Sequence, residues 1–303
     1  MAGGLPFCLA QSAQEQAFRL LYYRALASTN DEALALARRG EKGRLWIVAG
    51  TQTAGRGRNG RTWSSPQGNL YASLLLLDPS PLQQAAELGF VAGVATAYAL
   101  RTILRGDPRI KIKWPNDILY DGAKLCGILL ESTSLPSGQF GCAAGFGVNC
   151  RTHPGNTAYP ATDLKTAANS PVEPEAVFIE LSAAMAHWLG IWDGGTGFAS
   201  IRREWLSLAA GVGAGISVAL PSRTVQGTFE TIDAAGRLIV TAEPAWKLDG
   251  TNIVQFTLVA RGKPPSSDLA GVSSFLQIGR KHIVRAFAEL TSDEMHKAWG
   301  RKQ

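Results

Sequence analysis

Between residues 45 and 149 the chain alternates short apolar runs of strand length with breaks rich in glycine, proline or aspartate. Only one run in that stretch, residues 85–105, has helical length. This is not the regular βαβ repetition of a parallel sheet, and it predicts an α+β fold with a mixed, largely antiparallel sheet. The strands are expected at residues 45–50, 70–77, 110–114, 117–120, 124–132 and 140–149. Pro115 ends the third of these strands by removing a backbone donor, and Asp121-Gly122 is a hairpin dipeptide. Upstream, residues 19–25 have strand-like content. Ser28-Thr29-Asn30 then offers an N-cap before a helical stretch at 32–39 that stops at Gly40. Downstream, the proline-rich residues 154–174 are expected as loop, and 175–191 and 198–208 as helices.

The composition changes at the glycines of residues 211–215. Residues 216–220, 224–232 and 237–241 then alternate as short strands, with a turn at 233–236, which predicts a small appended β-barrel. Lys263-Pro264-Pro265-Ser266-Ser267 has the composition of a linker, and one helix is expected around residues 283–290. The resulting division is a main domain at 18–210, a small barrel at 211–262 and a tail at 263–303 to which the sequence assigns no role.

With 303 residues, 46% hydrophobic and 18% charged, the chain can bury one large core and a smaller second one. No stretch approaches the eighteen apolar residues of a membrane span, and the first residues lack the pattern of a secretory signal, so a cytoplasmic protein is expected. Cys8, Cys126, Cys142 and Cys150 form no CxxC pair and have no histidines at ligand spacing, which argues for reduced thiols and against a protein-held metal. A net charge of +6 suits an acidic partner or a polyphosphate as well as nucleic acid, because the basic residues are scattered outside one loop.

That loop, Gly55-Arg56-Gly57-Arg58-Asn59-Gly60-Arg61-Thr62-Trp63, sets glycines between arginines, so backbone amides and guanidinium groups can surround a phosphate-bearing ligand. It is no P-loop, since no Gly-Lys-Ser/Thr follows, and no helix should follow its Gly-x-Gly-x-x-Gly spacing. Lys111-Ile112-Lys113-Trp114-Pro115-Asn116-Asp117-Ile118 carries an amide and a carboxylate past a proline stop, a pair fit for a ligand, for magnesium or simply for a turn. Lys124 heads the otherwise apolar run Leu125-Cys126-Gly127-Ile128-Leu129-Leu130-Glu131, where a lysine is costly unless it meets an anion. Gly145-Phe146-Gly147-Val148-Asn149 spaces glycines along a strand, which permits close approach of a ligand or another backbone.

Taken in order, Ser28-Thr29-Asn30, Gln52, the arginine loop, KWPNDI, KLCGILLE and GFGVN resemble the biotin–protein ligase family over about residues 20 to 150. The resemblance implies the class II aminoacyl-tRNA synthetase/biotin synthetase-like catalytic fold followed by an SH3-like barrel, in the monofunctional type. An N-terminal DNA-binding domain is not expected, because only about twenty residues precede the first strand, too few for one. It implies an enzyme that activates biotin with ATP and Mg2+ to biotinyl-5′-AMP and transfers it to a lysine of a biotin carboxyl carrier protein or domain. No DNA or membrane partner is expected, and the assembly is expected to be a monomer or homodimer. By the same resemblance, Ser28, Thr29, Asn30, Gln52, Gly55, Arg56, Gly57, Arg58, Lys124 and Gly127 bind biotin. Arg56, Arg58, Arg61, Trp63, Asn116, Lys124 and Asn149 bind ATP or the adenylate. Arg58, Lys124 and Asp117 are the expected catalytic groups, Asp117 as acceptor of the lysine proton. The rival readings are a lipoate–protein ligase on the same fold and a basic RNA-binding module. The second lacks an RNP-like aromatic motif or an arginine-clustered recognition helix.

Overall fold

A computed structural model describes residues 6–157, 159–219 and 224–242, together with strands at 254–258, 275–278 and 284–287. The chain divides into two compact units, one reaching Ala210 and the other beginning at Gly211. In chain order the first unit contains α1 (Gln11–Glu15), β1 (Arg19–Tyr23), α2 (Thr29–Arg38), β2 (Leu45–Ala49), β3 (Leu70–Leu77), α3 (Leu88–Ile103), β4 (Ile110–Lys113), β5 (Asp117–Tyr120), β6 (Ala123–Ser134), β7 (Phe140–Val148), α4 (Leu164–Ala168), α5 (Pro174–Trp192) and α6 (Phe198–Leu208).

Its seven strands form one mixed sheet in the order β1-β2-β3-β7-β6-β5-β4. β1 and β2 are parallel, as α2 between them allows, and every other pairing is antiparallel. All five residues of β2 are buried, which requires cover on both faces. Alternation along the strand divides that cover. Leu45 and Ile47 join Ala33, Leu34 and Ala37 of α2 with Leu75 and Ala143, whereas Trp46 points the other way and meets Phe178 of α5 edge-on at 5.3 Å. The sheet is thus a middle layer between α2 and a helical layer built from α3, α5 and α6. Phe90 of α3 ties that layer together against Phe198 and Trp205 of α6, both at 5.5 Å.

The local chemistry accounts for most boundaries. At the β5–β6 hairpin Asp121 (φ 50°) and Gly122 (φ 78°) both take positive φ, as a two-residue primed turn demands. Pro174 opens α5, where a missing N–H costs nothing. α2 begins at Thr29, three residues before the expected helical stretch, because the Ser28 hydroxyl accepts the Asp31 amide at 3.3 Å and so turns the cap motif into the first turn itself. The expected loop 154–174 contains α4. The Asp163 carboxylate accepts the Thr166 amide at 2.7 Å at its start, and Asn169 at φ 52° ends it in the left-handed conformation.

The second unit is a six-stranded antiparallel sheet in the sequential order β13-β12-β11-β10-β9-β8. Its strands are β8 (Gly215–Ala219), β9 (Thr224–Ile232), β10 (Leu238–Ala242), β11 (Val254–Leu258), β12 (Phe275–Ile278) and β13 (Val284–Phe287). Phe229, Ile232, Leu238, Ile239 and Val240 are its buried side chains among the described residues. Asp233 holds the β9–β10 turn by accepting the Ala235 and Arg237 amides, each at 2.9 Å. The helix expected around residues 283–290 is instead a strand over Val284–Phe287, where β-branched and aromatic residues favour a pleated surface. The expected linker at 263–267 lies outside the described residues.

Candidate active site

Beyond the ends of β1 and β2 the two chains stay zipped in parallel. The Leu26 amide donates to the Thr51 carbonyl at 3.1 Å, Thr53 to Leu26 at 2.9 Å and Ala54 to Ala27 at 2.8 Å. This register delivers Gln52 to the start of α2. Its side-chain carbonyl accepts the Thr29 amide at 2.9 Å and the Thr29 hydroxyl at 3.1 Å, and its amide donates to Ser65 Oγ at 3.1 Å. Ser73, in the middle of β3, brings its hydroxyl within 2.7 Å of Thr29 Oγ1 and 2.6 Å of Asn30 Oδ1. Asn30 donates to the Leu129 carbonyl at 3.2 Å and to Glu131 Oε2 at 2.9 Å. Thr29 and Asn30 are each 4% exposed and Ser73 is fully buried. A buried polar set of this kind is stable only when its members satisfy one another, and here they do.

The arginine loop folds back on this wall. Gly57 donates to the Arg61 carbonyl at 2.7 Å and Trp63 to Gly55 at 2.9 Å, while Asn59 (φ 57°) and Gly60 (φ 71°) turn the tip. Arg56 forks between two carboxylates, reaching both Asp31 oxygens at 2.5 Å and Glu131 at 2.9 to 3.2 Å. The hydrogen bonds to Asp31 outweigh burial and, with Glu131, raise its pKa above the usual guanidinium value. Arg58 turns inward and donates to Asn116 Oδ1 at 3.4 Å. Burial lowers its pKa, against an opposing pull from Asp117.

Two strand glycines form the floor beneath Trp63. Gly127 of β6 and Gly147 of β7 are register partners, and a Cβ at Gly147 would stand 2.6 Å from the indole, or 3.0 Å at Gly127. Gly145, two residues along, leaves room for Asn30, whose Oδ1 would lie 2.4 Å from a Cβ there. Gly145 and Gly147, expected to admit a ligand or another backbone, here make room for side chains of the site itself. Lys124 stands beside Trp63, with Nζ 5.3 Å from the ring centroid and 2.7 Å from Asp117 Oδ1. Its backbone is fixed by the segment after β7, since it donates to Pro160 at 2.8 Å and accepts from Thr162 at 3.0 Å. A cavity of about 400 Å³ opens in that segment, between His153, Tyr159 and Pro160.

The expected site residues Ser28, Thr29, Asn30, Gln52, Gly55, Arg56, Arg58, Trp63, Asn116, Asp117, Lys124 and Gly127 come together at this end of the sheet. Arg61 and Gly57 belong to the loop, Arg61 on its exposed side. Asn149 is buried and donates to the Thr162 carbonyl at 3.0 Å, holding the segment that supports Lys124. Asp31, Ser65, Ser73 and Glu131 were not expected. For Glu131 the sequence does carry a signal, a carboxylate closing an apolar strand, whereas Ser73 sits unmarked inside the apolar run of β3. Among the described residues no group of three or more His, Cys, Asp or Glu could hold a metal ion.

A mixed sheet between two helical layers, with a polar wall and a basic glycine loop at one end, defines the class as a small-ligand site on an α+β fold. Residues 22–149 match the biotin/lipoate A/B protein ligase family. The chain is 40% identical over 220 residues to the biotin--[acetyl-CoA-carboxylase] ligase of Paracoccus denitrificans, covering 70% of this chain and 90% of that protein. It is 33% identical to a bifunctional ligase/repressor of Bacillus subtilis, over 69% of this chain and 64% of that protein. The biotin protein ligase of Leishmania major in complex with biotinyl-5-AMP superposes with a TM-score of 0.58 at 25% identity, over 80% of this chain and 99% of that one. The Aquifex aeolicus enzyme in complex with biotin and ATP shares the fold at a TM-score of 0.65 and 24% identity, over 80% of this chain and 97% of that one. The chain belongs to the biotin/lipoate A/B protein ligase family.

Proposed function

We propose that this chain is a biotin–protein ligase: it joins biotin to AMP at the expense of ATP and passes the biotinyl group to a lysine of a biotin carboxyl carrier protein or domain. The observation that carries the reading is the direct abutment of two surfaces. The satisfied polar wall of Thr29, Asn30, Gln52 and Ser73 suits a neutral ring bearing donors and an acceptor. Beside it stand Arg56, Arg58 and Lys124, cations suited to a carboxylate and a phosphate.

In this reading the biotin carboxylate attacks the α-phosphorus of magnesium-bound ATP and pyrophosphate leaves. Two anions must meet, so the work of the chain is positioning and charge neutralisation. Lys124 spans carboxylate and phosphate, Arg56, Arg58 and Arg61 face the phosphate, and Trp63 and Asn116 border the nucleotide. Asn149 holds the neighbouring segment. The acceptor lysine amine then attacks the acyl carbonyl, the bond to AMP breaks, and the proton of the amine passes to Asp117. Asp117, which pairs with Lys124 at 2.7 Å, would help hold a magnesium ion arriving with ATP, and the ion would supply further positive charge at the phosphates.

Residues 18–210 serve as the catalytic domain and 211–262 as the body of an SH3-like barrel, with the strands at 275–278 and 284–287 adding to the same sheet. A cytoplasmic location fits a carboxylase partner, and no described helix is long and apolar enough to cross a membrane. The test is to incubate the protein with α-labelled magnesium-ATP and either biotin or lipoate. Acyl-adenylate formed with biotin supports the reading. Adenylate formed only with lipoate moves the chain to the sister activity, and none with either refutes ligase function.

A further inference from the structure

One carboxylate in the second half of β6 touches both halves of the site. Glu131 accepts from the Asn30 side chain at 2.9 Å and from Arg56 at 2.9 to 3.2 Å, and its side chain is 12% exposed. Asn30 is locked from behind by Ser73 at 2.6 Å, and Arg56 is held from the front by Asp31 at 2.5 Å. The chain Ser73–Asn30–Glu131–Arg56–Asp31 is therefore continuous from the buried sheet to the arginine loop. In such a chain the placement of one member sets the placement of the next.

We infer that Glu131 is a positioning residue that couples occupancy of the biotin-head pocket to the conformation of the arginine loop. The inference rests on the proposed function. The chemistry of Glu131 sets the direction of the Asn30 amide: Leu129 and Glu131 consume its two N–H donors, so its oxygen is the end left to Ser73 and a pocket ligand. A ligand N–H drawn to that oxygen moves the amide, and the carboxylate transmits the shift to Arg56 through charge-assisted bonds. Asn30 and Arg56 both donate to Glu131 Oε2, each at 2.9 Å, so Glu131 is their shared partner.

The test is a double-mutant cycle on the full chain, with biotin dissociation constants measured by calorimetry for the wild type, Glu131→Gln, Arg56→Ala and the pair. Glu131→Gln keeps the shape of the side chain while removing its charge. Each single change is expected to weaken biotin binding, and Arg56→Ala should add little in the Glu131→Gln background, a departure from additivity on the order of tenfold. Saturating biotin should slow tryptic cleavage at Arg56, Arg58 and Arg61 in the wild type and lose that protection in Glu131→Gln. A glutamate with a merely structural role would lower the melting temperature but leave the two effects additive and the protection intact. That result overturns the inference, as does wild-type biotin affinity in Glu131→Gln. A wild type that binds no biotin overturns the proposed function itself, and the inference with it. If Glu131→Gln does not fold, Glu131→Asp carries the same cycle, because its charge remains while its reach shortens by one methylene and cannot serve both partners.

Discussion

Replacing Gly147 by alanine tests whether the glycine floor holds the arginine loop in place. The added methyl would stand 2.6 Å from Cε2 and Nε1 of Trp63 and 2.9 Å from Cζ2, distances at which something must shift. The β7 backbone cannot yield, because it is paired to β3 on one side and β6 on the other. The indole must therefore lift, although the Trp63 backbone is tied, its amide donating to the Gly55 carbonyl and its carbonyl accepting from Ser65 Oγ. Overpacking of this kind costs about 2 kcal/mol, which in a unit of this size lowers the melting temperature by about 4 to 8 °C. Gly127→Ala is the internal control, since its methyl would sit 3.0 Å from Cζ3 at the edge of the ring and 3.4 Å from Lys124 Cε, so it needs only a small adjustment. Thermal melting and limited trypsinolysis at Arg58 and Arg61 read the outcome. Gly147→Ala should melt lower and be cut faster in the loop, and Gly127→Ala should stay close to wild type. Equal behaviour of the two variants, or wild-type cleavage in Gly147→Ala, would refute the assignment of Trp63 to this floor.

Lys124→Ala should fold but lose adenylation by on the order of a hundredfold or more, as expected for an electrostatic group in a closed site, with adenylate yield as the readout. Burial pushes the Cys142 and Cys150 thiols up to about 12 and raises Cys126 as well, while Cys8 is exposed. Ellman's reagent should therefore find one fast thiol in the native protein and four after unfolding. Burial alone would raise the Asp163 pKa, but its bonds to Thr166 and His153 together lower it below the usual aspartate range. A depressed folded pKa gives stability that is present above about pH 4 and fades as the pH falls through the folded value. Asp163→Ala should thus cost about 1 kcal/mol at neutral pH, with the gap to wild type closing in acid denaturation series; a gap constant with pH would exclude the linkage.

The strands were legible where composition is extreme. Leu70–Leu77 and Asp117–Tyr120 have the expected bounds, as does the helix Phe198–Leu208, because a mostly apolar run or a flanking proline and Asp-Gly leave few alternatives. α4 was missed although Asp163 and Asn169 mark its two ends, since proline and glycine nearby outweighed five residues of helix. The site divides differently. Residues carried by motifs were legible, but Ser73 and Glu131 meet Asn30 across 43 and 101 positions of chain. Only the register of β3 and β6 brings them there, and register is a property of the assembled sheet. That Gly127 and Gly147 would admit a tryptophan follows from the same cross-strand pairing.

The parallel zipper between residues 26–27 and 51–54 also sets where this protein can change length. An insertion or deletion before Ala54 would slip Gln52 off Thr29 and dismantle the polar wall. The tip of the loop is freer, since a Cβ at Gly60 would meet nothing within 4 Å and Asn59 is exposed. Variation among descendants, or an engineered tag read out by ligand binding, is thereby channelled to a window of a few residues around Asn59-Gly60. There the chain can grow outward while the recognition surface beneath keeps its shape.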